Sequence, residues 1–256
     1  MEIWTSLLPQ DLPAWGAGLL LLASLAASFV TAAFGAGGGV VLLAVMTLFL
    51  PVAAVIPLHG VIQAGSNAGR TALTWSGIRW PVVALFSAGG VLGAAAGSRV
   101  LVDLPGGWME LALGAFILWS CWGPTPDLRR GSRGRLALGG AATSLATLFV
   151  GATGPLVAAL LRSLALDRRS HVGTFSACMV IQHGFKLVVY GGLGFAFGPY
   201  LPFLAGMITA GLAGTYLGRM ALEHLSDRGF HRALTVLLTL LALRLCYTGL
   251  TAVAGW

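Results

Sequence analysis

Charge is what this sequence has least of. Of its 256 residues only 9% are Asp, Glu, Lys or Arg, against roughly 25% in an average soluble domain, and that shortage excludes an ordinary water-exposed surface. With 57% hydrophobic residues and 37 glycines, too little polar material remains to cover a soluble globule, so the chain reads as an integral membrane protein. Carboxylates are especially scarce. None of the eight acidic residues falls in the two glycine clusters described below or in the polar helices that follow them. Glu110, near the outer end of its helix, is the exception that lies within an apolar segment, and a carboxylate-based cation site has no support. Cysteine is sparse too: Cys121, Cys178 and Cys246 stand singly in apolar segments without C-x-x-C spacing, which argues for buried thiols rather than a disulfide framework or a metal site. No G-x-S-x-G, H-E-x-x-H or Walker pattern occurs, so neither hydrolysis within the membrane nor ATP-driven pumping has residues to run it. The chain reads as a non-enzyme with no cofactor and no metal.

What is present is a succession of apolar segments. At about 20 residues per crossing, the length accommodates about eight crossings and no soluble domain. Glu2 and Asp11 precede the first apolar run where a cleavable signal would carry basic residues, so that run reads as a retained helix. The segments are Pro13–Phe34, Val40–Leu50, Ala53–Ser76, Trp80–Leu101 and Trp108–Trp122, then a polar linker from Gly123 to Arg135. Leu136–Val150, Leu156–Leu166, Arg168–Tyr190, Pro199–Leu222 and Phe230–Ala254 follow with the same alternation of long and short. Sliding the chain by 116 residues lays Gly35–Gly39 on Gly151–Pro155, Asn67 on His183 and Arg70 on Lys186. A displacement of 121 superposes Gly93-x-x-x-Gly97 on Gly214-x-x-x-Gly218. These matches divide the chain into two repeats, 1–128 and 129–256.

The short second segment of each half is informative. Val40–Leu50 spans about 16 Å at 1.5 Å per residue, roughly half the hydrocarbon core, so it must be half of a broken or re-entrant pair. Three crossings follow each pair, which makes the two halves opposite in orientation. The basic residues agree. Eleven of the fifteen lie at segment ends or in short polar loops (Arg79, Arg129, Arg130, Arg133, Arg135, Arg162, Arg168, Arg169, Arg219, Arg228 and Arg232), and a topology with both termini outside places them all inside, with only Arg99 against the rule. The net charge of +7 is thereby a membrane signature and not one of nucleic-acid binding. The expected fold is an all-α polytopic membrane protein of two inverted-topology repeats, each with a broken or re-entrant helix pair plus three transmembrane helices, the architecture of secondary transporters.

His59, Gln63, Ser66, Asn67 and Arg70 fall on one face of the third segment, and Gln182, His183 and Lys186 repeat the deep half of that stripe. In lipid such groups are costly, so they should face the interior or an aqueous path. The alternatives are snorkelling for Arg70 and Lys186 and simple helix packing for His59. Gly37, Gly38 and Gly39 open one short helix, and Thr153, Gly154 and Pro155 open the other, presenting N–H groups and a positive dipole end to an anion. Glycines also permit close helix crossing, the role expected of Gly93, Gly97, Gly214 and Gly218. The candidate site is therefore Gly37, Gly38, Gly39, Thr153 and Gly154 with Asn67, Gln182 and His183 as hydrogen-bonding groups and Arg70 and Lys186 as symmetric countercharges. Arg244 sits in the middle of the last segment and requires a polar partner.

The duplicated Phe34-Gly35-Ala36-Gly37-Gly38-Gly39 and Val150-Gly151-Ala152-Thr153-Gly154-Pro155 stretches, each leading through a short apolar segment into a helix with polar residues, resemble the sulfite exporter TauE/SafE family of bacterial membrane permeases, as do the paired G-x-x-x-G segments. The likeness covers nearly the whole chain. It implies export of sulfite, a related sulfur oxyanion or an organosulfonate across the bacterial inner membrane, whereas spacing and composition point only to anion transport. The partners so expected are a small inorganic or organosulfur anion and the lipid bilayer, with no nucleic acid and with a homodimer left open. Two rivals stand beside this reading, a passive anion channel and a membrane scaffold whose polar stripes merely hold helices together.

Overall fold

The computed structural model describes residues 12–34, 37–101, 107–123, 133–221 and 227–255. Gly35, Ala36 and most of the Gly123–Arg135 linker, with Arg129 and Arg130, lie outside the described residues. Within them the chain forms ten α-helices: α1 Ala14–Phe34, α2 Gly38–Met46, α3 Val52–Leu73, α4 Trp80–Leu101, α5 Trp108–Trp122, α6 Arg133–Val150, α7 Gly154–Arg162, α8 Arg168–Gly192, α9 Leu201–Ala221 and α10 Asp227–Ala254. Short 3-10 turns at Trp75–Gly77 and Gly198–Tyr200 lead into α4 and α9.

Local chemistry sets the limits of the two short helices. Before α2 the chain turns through Gly37 at φ 105°, a conformation that glycine adopts freely, and the Gly37 carbonyl accepts the N–H groups of Val40 and Val41 at 3.0 and 3.2 Å. After Met46 the chain turns, because Pro51 disfavours helix in the residue before it and starts α3 itself. Gly151 at φ 74° makes the corresponding bend before α7, where Pro155 occupies the first turn without losing a hydrogen bond. Asp167 then caps α8 by accepting the Ser170 N–H at 3.0 Å, and hydrogen bonding from Ser170 holds its carboxyl below the usual carboxylate range. Each short helix has nine residues, about 14 Å. Both begin two residues earlier and end four earlier than the apolar pattern alone suggests.

A displacement of 116 carries Gly38–Met46 onto Gly154–Arg162 end for end and the first residue of α3 onto the first of α8. A displacement of 121 does the same for the starts of α4 and α9. Packing follows suit. Helix α1 runs along α9 and α4 along α6, while α3 meets α8 and α5 meets α10, a set of pairings that is unchanged when the halves are exchanged. Glycines allow the closest of these crossings: a Cβ on Gly93 would strike the Ala141 carbonyl, and one on Gly214 the Leu25 carbonyl.

Polarity is distributed inside out. Leu92, Leu138 and Val188 are 70–75% exposed, whereas Gln182 and Lys186 are 0% exposed. Among the described residues four helical stretches, Ala14–Ala33, Trp80–Leu101, Arg169–Gly192 and Gly198–Met220, are long and apolar enough to cross a bilayer. Helix α3 matches them in length, and its polar stripe is what lowers its hydropathy. An apolar exterior around a polar interior is what a bilayer selects, and the protein is an all-α polytopic membrane protein. Of the thiols only Cys178 is fully buried; Cys121 and Cys246 are half-buried.

Candidate functional site

The N-termini of α2 and α7 open onto one cavity of about 20 Å³. Gly37, Gly39 and Val40 line it from the start of α2, and Ala152, Gly154 and Pro155 from the start of α7. The first turn of a helix has no intrahelical partners for its N–H groups, so two sets of backbone donors and two positive dipole ends meet there. Side chains of the central helices complete the lining, with His59, Gln63 and Asn67 from α3 and Phe175, Met179 and His183 from α8, while Thr31 of α1 also contributes. No carboxylate lines it among the described residues.

The polar groups differ in how far they are committed. Asn67 is fixed: its Nδ2 donates to the Gln63 carbonyl at 2.8 Å and to Gln63 Oε1 at 3.2 Å, and its Oδ1 accepts from Arg70 Nη1 at 3.1 Å. His59 Nε2 lies 2.9 Å from the Gly39 carbonyl, which accepts, so in the neutral ring the proton sits on that nitrogen. Buried His59 Nδ1 has no partner among the described residues, nor has either ring nitrogen of His183. The two imidazoles meet edge to face with centroids 5.8 Å apart. A buried His with both nitrogens unanswered is the most available hydrogen-bonding group of the cavity.

Thr153 and Gln182 stand just behind the lining. Thr153 Oγ1 donates to Gln182 Oε1 at 2.9 Å, and the buried Gln182 Nε2 is left without a partner among the described residues. Lys186 also lies behind the lining. Its Nζ donates to the Gly151 carbonyl at 2.7 Å, at the bend between α6 and α7, and its stem packs where Gly60 of α3 leaves room. Tyr190, one turn on, donates to the Leu148 carbonyl at 2.8 Å. Lys186 is wholly buried, which removes the snorkelling alternative.

Two expected members lie elsewhere. Gly38 does not line the cavity; a Cβ there would strike the Ala27 carbonyl and Thr31 Oγ1, so Gly38 seats α2 against α1. Arg70 is 5% exposed and does not snorkel, but it faces a second cavity of about 410 Å³. Arg70 and Lys186 therefore do not flank a single point, because α3 and α8 run antiparallel and carry the two cations to opposite ends. Phe175 and Met179 join the lining without having polar chemistry to mark them in the sequence; the signal that points to them is the 116-residue displacement, which places them on His59 and Gln63. Arg244 gains its partner from the fold: Nη1 donates to the Thr47 carbonyl at 3.2 Å, a cation at the C-terminal end of α2.

Ten helices among the described residues, with an apolar outside and two half-length helices meeting at a buried polar cavity, define a polytopic membrane protein with a polar interior. The model of the sulfite exporter TauE/SafE family matches residues 20–245, and the chain belongs to that family. It is thereby placed among membrane transporters of sulfur anions. No curated protein and no solved structure matches the chain.

Proposed function

We propose that the protein is a secondary transporter that exports a small sulfur oxyanion, sulfite first among them, across the inner membrane of a bacterial cell. The observation that carries this reading is the meeting of two half-helix N-termini at a cavity with hydrogen-bonding side chains and no carboxylate among its described lining. The anion sits between the first turns of α2 and α7, held by backbone N–H groups around Gly37, Gly39 and Gly154, with Asn67 and His183 as side-chain partners. Thr153 and Gln182 stiffen the α7 side. Lys186 supplies positive charge from behind the lining, where low dielectric lengthens its reach.

The halves act as inverted copies in this reading. Support comes from helix starts that coincide under displacement, from pairings that survive exchange of the halves, and from arginines gathered at the ends assigned to the cytoplasm. Export needs little further coupling, because a negative interior drives an anion outward by about 2.3 kcal/mol per charge per 100 mV. Purified protein in liposomes tests it. Sulfite efflux should saturate and should accelerate when sulfite is present on the opposite side. Flux that never saturates would make the protein a channel, and absence of flux a scaffold.

A further inference from the structure

We propose that the larger cavity is a second, separate oxyanion site, a vestibule at the arginine-rich end of the molecule. It lies where the C-terminal ends of α3 and α9 meet the first turn of α8, and its volume is about 410 Å³. Arg70, Arg169 and Arg219 line it together with Thr74 and Thr215, and no carboxylate does so among the described residues. Three guanidiniums around one cavity repel one another, and the arrangement is relieved by an anion that they share.

The state of each arginine agrees. Among the described residues Arg219 has no hydrogen-bond or ion-pair partner, and the Arg169 side chain makes a single bond, to Ser76 Oγ at 2.8 Å. Both are exposed at the rim. A general cytoplasmic excess of positive charge accounts for those two. It does not account for Arg70, which is 5% exposed and has only neutral partners: Asn67 Oδ1 at 3.1 Å and Thr215 Oγ1 at 3.4 Å. Its Nε is buried with no partner among the described residues. A buried guanidinium short of acceptors, beside the unpartnered Arg219 and an Arg169 bonded only to a neutral hydroxyl, is a built receptor for a group with several oxygens around one centre, as in sulfite, a sulfonate or a phosphate. Resting on the transport reading, its position gives it a purpose. Asn67 lines the central cavity and binds the arginine that lines the outer one, so an anion gathered by the arginines stands one side chain away from the central site.

The test uses sodium sulfite titrated into the full-length protein in neutral detergent free of phospholipid, with the Arg169→Gln/Arg219→Gln double variant, whose melting temperature is measured beside the wild type to separate loss of binding from loss of the Arg169–Ser76 bond. Wild-type protein should bind sulfite in two phases, one of which weakens roughly tenfold to a hundredfold in the double variant, while His183→Ala weakens the other. Native mass spectrometry of protein extracted from phosphatidylglycerol-containing membranes separates the sources of the oxyanion. If the double variant sheds bound phosphatidylglycerol and keeps its sulfite isotherm, the site holds a lipid headgroup and the oxyanion chemistry stands. If neither sulfite nor lipid binding changes, the site does not exist. Arginine-dependent sulfite binding in a protein that moves no sulfite would sink the transport reading and leave this site standing, whereas transport with sulfite and phosphatidylglycerol binding both independent of the arginines would do the reverse.

Discussion

At equivalent positions the two halves present different chemistry to the same cavity. Where α3 offers His59, Gln63 and Asn67, α8 offers Phe175, Met179 and His183. One wall is polar along its length; the other is apolar except at its end. The two halves each supply a helix N-terminus and a central helix, and in the proposed transport reading the differing side chains give the site a direction. Arg70 and Lys186 differ in the same way. Arg70 opens onto a large cavity at its end, whereas Lys186 is sealed under the α6–α7 bend with Thr147, Gly151 and Tyr190 around it.

The strongest way to break this comparison is to remove one cation. Lys186→Met should lower sulfite flux in liposomes by about tenfold to a hundredfold, the loss expected for a charge-assisted interaction. Thermal stability should be kept, because Lys186 has no carboxylate partner among the described residues and its charge is costly to bury. Normal flux in this variant would remove Lys186 from the site.

Gly38 and Gly154 occupy equivalent positions and separate packing from binding. Gly38→Ala drives a Cβ into the α1 backbone and should cost about 1–3 kcal/mol of stability. At Gly154 a Cβ meets nothing nearer than the Phe175 ring at 3.7 Å, so Gly154→Ala should melt normally and lose anion affinity. Calorimetric unfolding with sulfite titration of each variant checks both, and equal loss of stability in the two would refute the contrast.

His59→Phe gives the polar wall the residue of the other half. It deletes the bond to Gly39 at 2.9 Å, and affinity for sulfite should fall by about threefold to tenfold, in line with one hydrogen bond of roughly 1 kcal/mol. Unaltered affinity would mean that the divergence of the walls has no bearing on the ligand. The smallest effect is expected at Arg244, remote from either cavity: Arg244→Met should cost about 0.5–1 kcal/mol through the C-terminal end of α2, read as a small fall in melting temperature with sulfite affinity unchanged.

Much of the architecture was legible because its signals are local. Glycine clusters, Pro51, Pro155 and apolar run lengths are enough to find two half-length helices in matching places, and the displacement that pairs Asn67 with His183 also pairs the helix starts. What was not legible depends on which helix lies opposite. Gly38 and Gly154 both open a nine-residue helix, yet only Gly38 has the α1 backbone against it. Arg70 and Lys186 look like two flanks of one site until the antiparallel course of α3 and α8 separates them. Phe175 and Met179 carry no chemistry in themselves; a shared cavity gives them meaning.

The seal at Lys186 has a practical consequence, since this residue is the only lysine of the chain and is 0% exposed. Side-chain acylation by an amine reagent therefore has one target, concealed while the Lys186–Gly151 bond is closed. If transport alternately exposes the two ends, each molecule is marked once, in an excursion that opens this one, and the rate at which the population is modified becomes a clock for the cycle, faster when sulfite is being carried than when it is not.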